Sequence, residues 1–249
     1  MAEIIILGCG ASLGVPMLGC SCNTCLSTDT KNKRTRPSIL INNNDKKVLV
    51  DFGFDIKSQL MREKITKLEC AILTHDHADH VGGIDELRVF GFKEDEKLPI
   101  YSDSNTIDRI SSRFHYLIKE KRIDPRKLDD FECILRAADL DIQFFRQNHY
   151  SMDSLGLRIG DVVYSNDVIK YYPESEKFME NAKCWIIDCM DYTSTVAHSG
   201  LDQVLIWNEK YKPKMIYLTN MCHNIDYYEI QKQLPNNIKP AYDGLRIEL

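Results

Sequence analysis

The segment THDHADH, residues 74–80, puts His75, His77, Asp79 and His80 into one short stretch directly after an apolar run. Neutral imidazole and carboxylate together suit zinc, manganese or iron. The small Ala78 leaves room around the cluster, and Gly82-Gly83 lets the chain turn closely past it. One loop seldom completes a metal site, so partners are expected at other strand ends. His149 follows DIQFFRQN and Asp167 follows DVVYSN, each where a strand hands over to a loop. Asp51, after KKVLV, is expected instead to be a buried carboxylate that accepts backbone N–H groups and holds a neighbouring loop.

A second constellation lies in GCGASLGVPMLGCSCNTC, residues 8–25. Cys20, Cys22 and Cys25 form C-x-C-x-x-C in a loop rich in small and polar residues, which is poor packing material. That spacing suits a tetrahedral zinc thiolate site, which needs a fourth ligand from elsewhere in the chain. Cys9, Cys70, Cys133, Cys184 and Cys189 sit in or beside apolar segments and read as small buried hydrophobes. Nine cysteines is an odd number, so a disulfide framework could not use them all.

The elements that must position these groups follow from apolar runs and their punctuation. EIIIL, SILIN, KKVLVD, CAILT, PIYS, ECILR, DIQFFR, LGLRIG, DVVYS, CWIIDC, MIYLT and LRIEL read as strands. Helices are expected over DIKSQLMREKI, IDELRVF, LDQVLIWNEK and YYEIQKQL, the longest over TIDRISSRFHYLIKEK. No Pro/Gly/Ser linker separates the halves. The pattern predicts one α+β domain over residues 1–249, two mixed β-sheets packed face to face with helices outside.

Composition narrows the function classes. Hydrophobic residues make up 43% and charged residues 28%, an ordinary globular balance. A net charge of -5 argues against a generic polyanion-binding surface, so no stable nucleic-acid partner is expected. The locally basic run RFHYLIKEKRIDPRK, residues 113–127, reads as a solvated helix face. No apolar run is long enough for a membrane span, and MAEIIILGCG lacks a basic leader, so a cytoplasmic protein is expected.

Taken together, HDHADH, His149 and Asp167 in that order resemble the metallo-β-lactamase fold superfamily. The Cys cluster, LVDFG, NHYSMDSLGLRIGDVVYSND, AHSGLDQVL and LTNMCHNIDYYEIQKQLP are similar to one branch of it. That branch is the cyclic phosphodiesterase family of the phosphonate (C–P lyase) pathway, which opens 5-phosphoribosyl 1,2-cyclic phosphate. The resemblance covers essentially the whole chain and implies an αββα sandwich with metals at one edge between the sheets. It assigns His75, His77 and His149 to one active-site metal, Asp79 and His80 to a second, and Asp167 to a bridge. It gives Cys20, Cys22 and Cys25 a structural zinc whose fourth ligand by position is His223, with Cys222 as a competitor. It also implies in-line attack on phosphorus by a hydroxide bridging two divalent metals, manganese or zinc. His198, in TVAHSGLD, would protonate the leaving alkoxide, and Asp79 would orient the nucleophile. A small cyclic ribosyl or nucleotide phosphodiester is the implied substrate, and a homodimer the implied assembly.

One position departs from the resemblance. The superfamily usually ends the strand matching MIYLT with Thr-His, whereas this chain has Thr219-Asn220. An amide oxygen is a weaker ligand than imidazole for zinc but acceptable to manganese or magnesium. Asn220 ligates weakly, Cys222 or His223 replaces it, or the second position binds weakly; a dinuclear site with a weaker second position is expected. Arg34, Arg36 and Arg158 are candidates for gripping a second phosphate, or plain surface charges. Competing readings are a transfer-RNA 3′-processing endonuclease, a thioesterase or lactonase of the same fold, and a non-catalytic metal- or nucleotide-binding carrier. The first needs a basic flexible arm that the sequence lacks, and the last sits poorly with four retained metal-site histidines.

Overall fold

A computed structural model describes residues 2–92, 97–128 and 132–249. In a seven-stranded sheet, β1 (Ala2–Gly8), β2 (Ser38–Asn43), β3 (Lys46–Val50), β4 (Cys70–Ile72), β5 (Leu98–Ser102) and β6 (Ile123–Lys127) lie side by side. The second, eight-stranded sheet comprises β7 (Ile134–Ala137), β8 (Leu140–His149), β9 (Met152–Ile159), β10 (Val162–Ser165), β11 (Lys170–Tyr171), β12 (Cys184–Asp188), β13 (Met215–Thr219) and β14 (Ile238–Pro240). Its order is β11-β8-β9-β10-β12-β13-β14, with β7 paired to β8. β15 (Arg246–Glu248) then returns to the first sheet beside β1. Helices α1 (Asn23–Leu26), α2 (Ile56–Arg62), α3 (Ala78–Val81), α4 (Ser104–Arg113), α5 (His115–Lys119), α6 (Leu201–Tyr211) and α7 (Tyr227–Gln231) connect and flank the sheets. This is the expected arrangement of two mixed sheets flanked by helices.

The strands of the first sheet are apolar on both faces because both faces are covered. Ile4, Ile6, Ile39, Ile41, Val48 and Val50 point into a core shared with the second sheet, where they meet Phe144, Leu157, Val163 and Ile186 among others. The alternate residues Ile5, Leu7, Leu40 and Leu49 point the other way, onto Ile56 and Leu60 of α2 and Ile107 and Ile110 of α4. The period of two along a strand makes this division automatic. Each such fully buried aliphatic side chain contributes about 1.5–3 kcal/mol.

β3, β4 and β5 run parallel, as do β10, β12 and β13. Their C-terminal ends therefore collect at one edge of each sheet, and the polar residues that follow them collect there too. Three of those residues, Asp51, Asp167 and Asn220, have φ of 61°, 52° and 60°. Left-handed backbone is uncommon for residues other than glycine, and these are three of the twelve such residues among those described.

The fold departs from the sequence reading in places. The long helix expected over 106–121 is broken at Phe114 (φ −112°, ψ 33°) into α4 and α5. The break lets Leu117 join the apolar cluster that Ile107 and Ile110 already occupy. The longest unbroken helix is α6, with 11 residues. The basic run ending at residue 127 supplies β6, whose Pro125 is tolerated because β6 is an edge strand. Ile84–Gly91 is 3₁₀ rather than α-helical. No helix among the described residues is long and apolar enough to cross a membrane.

Candidate metal centre

The loop after β4 is held from beneath by Asp51. Its fully buried carboxylate accepts the Thr74 backbone N–H at 2.8 Å, the Thr74 hydroxyl at 2.9 and 3.0 Å, and His80 Nδ1–H at 2.8 Å. This is the loop-holding role expected for it, extended to a histidine of the site. The backbone clasps the same loop, with Phe52 N–H donating to His80 O at 2.6 Å and Gly83 N–H to Phe52 O at 2.8 Å. The short helix α3 then presents Asp79 and His80 together.

Four further groups arrive from the second sheet. His149 ends β8, Asp167 follows β10, His198 lies in the loop before α6, and Asn220 follows β13. Ligand atoms of His75, His77 and His149 all lie within 4.8 Å of one another, as do those of His75, His80 and Asp167. His149 Nε2 is 3.2 Å from His77 Nδ1, and His75 Nε2 is 3.4 Å from Asp167 Oδ2. Two ligands on one tetrahedral ion at ~2.1 Å stand about 3.4 Å apart, so these separations fit a shared metal.

The remaining ring nitrogens are already committed. His149 Nδ1 is 3.0 Å from the Ala197 carbonyl, His75 Nδ1 is 3.0 Å from the Thr74 hydroxyl, and His80 Nδ1 is on Asp51. The His75 Nε2 atom is buried without a hydrogen-bond partner, and His80 Nε2 is turned to the Asp167 carboxylate, 2.5 Å from Oδ2. Outer-shell acceptors fix the tautomer and leave the free nitrogen for an ion, as in other histidine metal sites. The donor set, neutral nitrogen with carboxylate oxygen, is that of a divalent metal centre.

Electrostatics agree. Burial pushes the His75 imidazole well below its ordinary range, with neighbouring His80 adding to the effect. Burial and His149 do the same, less strongly, to His77. At His80 burial acts downward too, but Asp167, Asp51 and Asp79 outweigh it and hold the proton well above the usual range. Burial alone would raise Asp167, yet His80 and His198 hold its carboxyl well below the usual range. Positive charge is thus drawn to the point between Asp79, His80 and Asp167. A divalent ion held there by Asp79, His80 and Asp167 would compete with the His80 proton and displace it.

His198 stands at the rim. Its ring centroid is 4.8 Å from that of His149, and Nδ1 is 3.0 Å from Asp188 Oδ2 and 3.3 Å from Asp167 Oδ1. Burial would lower its pKa, but Asp188 and Asp167 raise it to about 11. The sequence reading missed Asp188. The signal was present, since CWIID ends an apolar run on a charged residue at a strand end, as KKVLVD does at Asp51. Asn220 Nδ2 donates to Asp167 Oδ1 at 2.7 Å and to Asp188 Oδ1 at 3.0 Å. Its Oδ1 is buried without a hydrogen-bond partner.

The second constellation also assembles. Cys20, Cys22, Cys25 and His223 form a cluster, with His223 Nδ1 3.4 Å from both the Cys20 and Cys22 sulfurs. Cys222 Sγ lies instead 3.5 Å from Asp191 Oδ2. Hydrogen bonding by His223 and by the Cys25 backbone lowers the Cys22 thiol to about 6, which favours the thiolate. Backbone bonds tie the same regions together, Met221 N–H donating to Cys9 O at 2.9 Å and Ala11 N–H to Met221 O at 3.2 Å.

The three arginines considered for substrate are otherwise employed. Arg34 is 1% exposed and donates to the carbonyls of Cys222 and Ile225 at 3.0 and 2.6 Å, so it is neither a surface charge nor free for phosphate. Arg36 pairs with Asp55 at 2.9 Å. Arg158 donates to the carbonyls of Gly160, Phe178 and Glu180.

An αββα sandwich with histidines and aspartates converging at one sheet edge defines a metal-dependent hydrolase of the metallo-β-lactamase fold. The chain belongs to the beta-lactamase superfamily domain family, whose profile matches residues 46–221. A crystal structure of a new diphosphatase from the PhnP family superposes with a TM-score of 0.94 at 29% identity, covering 100% of this chain and 97% of that one. An octanoyltransferase of Porphyromonas gingivalis is 29% identical over 97% of this chain but only 50% of its own length, so the chain spans half of that relative. A coenzyme PQQ synthesis protein B of Acinetobacter baumannii is 25% identical across 99% of this chain and 100% of its own.

Proposed function

We propose that the protein hydrolyses small phosphoric diesters, cyclic ribosyl or nucleotide phosphodiesters foremost. The observation that carries this reading is the position of His198, its Nδ1 3.0 Å from Asp188 Oδ2, at the rim of the His/Asp cluster. An acid so placed serves a reaction whose leaving group departs as an alkoxide. Two divalent ions, manganese or zinc, supply an activated water and polarise the phosphoryl oxygens when bound. His75, His77 and His149 offer three neutral nitrogens to one ion, and Asp79 and His80 hold the other. Asp167 lies against both His75 and His80 and would contribute its carboxylate to the ions they hold. Asn220 orients Asp167 and Asp188 through its amide nitrogen and leaves only an amide oxygen as donor, so the second position binds more weakly. His198 delivers its proton to the leaving oxygen, while Asp79 orients the attacking water. Cys20, Cys22, Cys25 and His223 hold a separate structural zinc.

The 29% identical PhnP-family structure is a diphosphatase, which favours a second reading within the same chemistry. Phosphorus in a substituted diphosphate also carries two bridging oxygens, and the same acid can protonate a departing phosphate. The test is turnover by protein loaded with manganese or zinc on cyclic phosphodiesters, substituted diphosphates, a thioester and a lactone. Cleavage confined to the phosphorus substrates supports the proposal. Cleavage confined to carbon esters overturns it. No turnover, with tight nucleotide binding, favours the carrier reading that the PQQ synthesis relative leaves open.

A further inference from the structure

The strands beside the metal centre carry two polar residues that apolar packing cannot account for. Gln147 in β8 and Ser154 in β9 stand opposite each other in the antiparallel register and are 0% and 1% exposed. Burying an amide and a hydroxyl inside a sheet is costly unless both are hydrogen-bonded. They are bonded to each other, Gln147 Nε2 donating to Ser154 Oγ at 3.0 Å. Their other bonds go to one place. Gln147 Nε2 also donates to the Asn166 carbonyl at 2.5 Å, and the Ser154 hydroxyl donates to the Asp167 carbonyl at 2.8 Å.

The pair grips the two successive peptide groups that flank Asp167. That residue has φ of 52°, a backbone conformation that few residues other than glycine adopt unaided. Asn166 gives no help from its own side chain, which is buried with neither polar atom hydrogen-bonded. The orientation of the Gln147 amide is settled by its partner, because a carbonyl oxygen only accepts and the N–H end must face it. Gln147 Oε1 is left buried without a partner, so the side chain serves through its donors. The same two strands reach other members of the cluster. His149 ends β8 two residues after Gln147, and Leu155 N–H, next to Ser154, donates to the carbonyl of Thr74, the residue before His75, at 3.0 Å.

We infer that Gln147 and Ser154 are positioning residues of the metal centre, a buried clasp that holds Asp167 in register with His75 and His149 before any ion arrives. The inference rests on the metal reading and names what preorganises it. Neither side chain is among the proposed ligands.

Gln147→Met keeps the volume of the side chain and removes both donors, so it would be neutral if Gln147 merely filled space. Manganese affinity, read by equilibrium dialysis, should instead fall by about tenfold to a hundredfold, the range that outer-shell partners of metal ligands command. Ser154→Ala should act in the same direction, and the double variant should lose little more than either single one, because the two side chains work as a unit. Phe144→Leu, a core substitution on the same strand, is the control. It should lower Tm and leave manganese affinity within about twofold of wild type. Wild-type affinity in Gln147→Met overturns the inference, as does an equal loss in Phe144→Leu, which would make the effect one of stability alone. Hydrogen exchange on the metal-free protein separates the clasp from the metal reading. If wild type takes up no divalent ion, the metal reading fails. Amides of residues 166–169 that exchange about tenfold faster in Gln147→Met than in Phe144→Leu would still support the clasp, and equal exchange removes it.

Discussion

His198 keeps its proton because of Asp188, and that dependence is measurable. His198→Ala should retain the active-site metals, counted by elemental analysis, while kcat falls about 10²–10⁴-fold. Its imidazole holds a proton to about 11 in the folded chain against an ordinary 6.5. The resulting stabilisation of the metal-free protein is therefore fully present below pH ~6.5 and is lost as pH rises through about 11. Asp188→Asn should flatten that alkaline decline in Tm and shift the alkaline limb of kcat to lower pH. Asn220→His should tighten the second metal position by about tenfold or more, read by equilibrium dialysis, because imidazole replaces an amide oxygen. Unchanged affinity would show that position 220 does not face the ion. The histidine loop, His149 and Asp167 were legible in the sequence because each is a chemically distinctive residue at a strand end, whereas His198, in the loop before α6, was reached through the family resemblance. Asp188 carried a weaker signal, a charged residue closing an apolar strand, and the fold is what shows that it stands opposite His198.

At the level of elements, the site depends on how closely the turn after β3 approaches the histidine loop. A Cβ built on Gly53 would stand 1.9 Å from the Asp79 carbonyl oxygen, with backbone on both sides of the clash. Gly53→Ala should therefore displace α3, costing about 1–3 kcal/mol of stability in denaturant melts. It should also loosen the metal position proposed at Asp79 and His80, although the substitution touches neither side chain. Strands were the most legible elements, since EIIIL and KKVLV are apolar on both faces only if both faces are buried. The helix over 106–121 was misread at its middle because periodicity continues across Phe114 while the backbone does not. β11 and β14, of two and three residues, are too short to carry a pattern of their own and exist through pairing with β8 and β13.

Across the whole molecule, the thiol cluster fastens the N-terminal loop to the segment after β13. Other contacts reinforce the join, including Asn32 Nδ2 donating to Asp226 at 2.6 Å and Lys31 Nζ 4.5 Å from the centre of the Tyr227 ring. Cys22→Ser should lose one zinc per chain while the active-site metals remain, and Tm should fall by about 5–10 °C, a domain of this size losing roughly 2–4 °C per kcal/mol. Zinc content equal to wild type would remove the structural-zinc proposal. The join also sets an order in time. Cys20 and His223 are 203 residues apart, so at ~5–20 residues per second a ribosome needs on the order of 10–40 s to deliver the histidine after the thiols. Throughout that interval the nascent chain carries three closely spaced sulfurs with no fourth partner. With the zinc proposed for this cluster, oxidants and metal scarcity should limit the yield of newly made protein well before they damage molecules already complete.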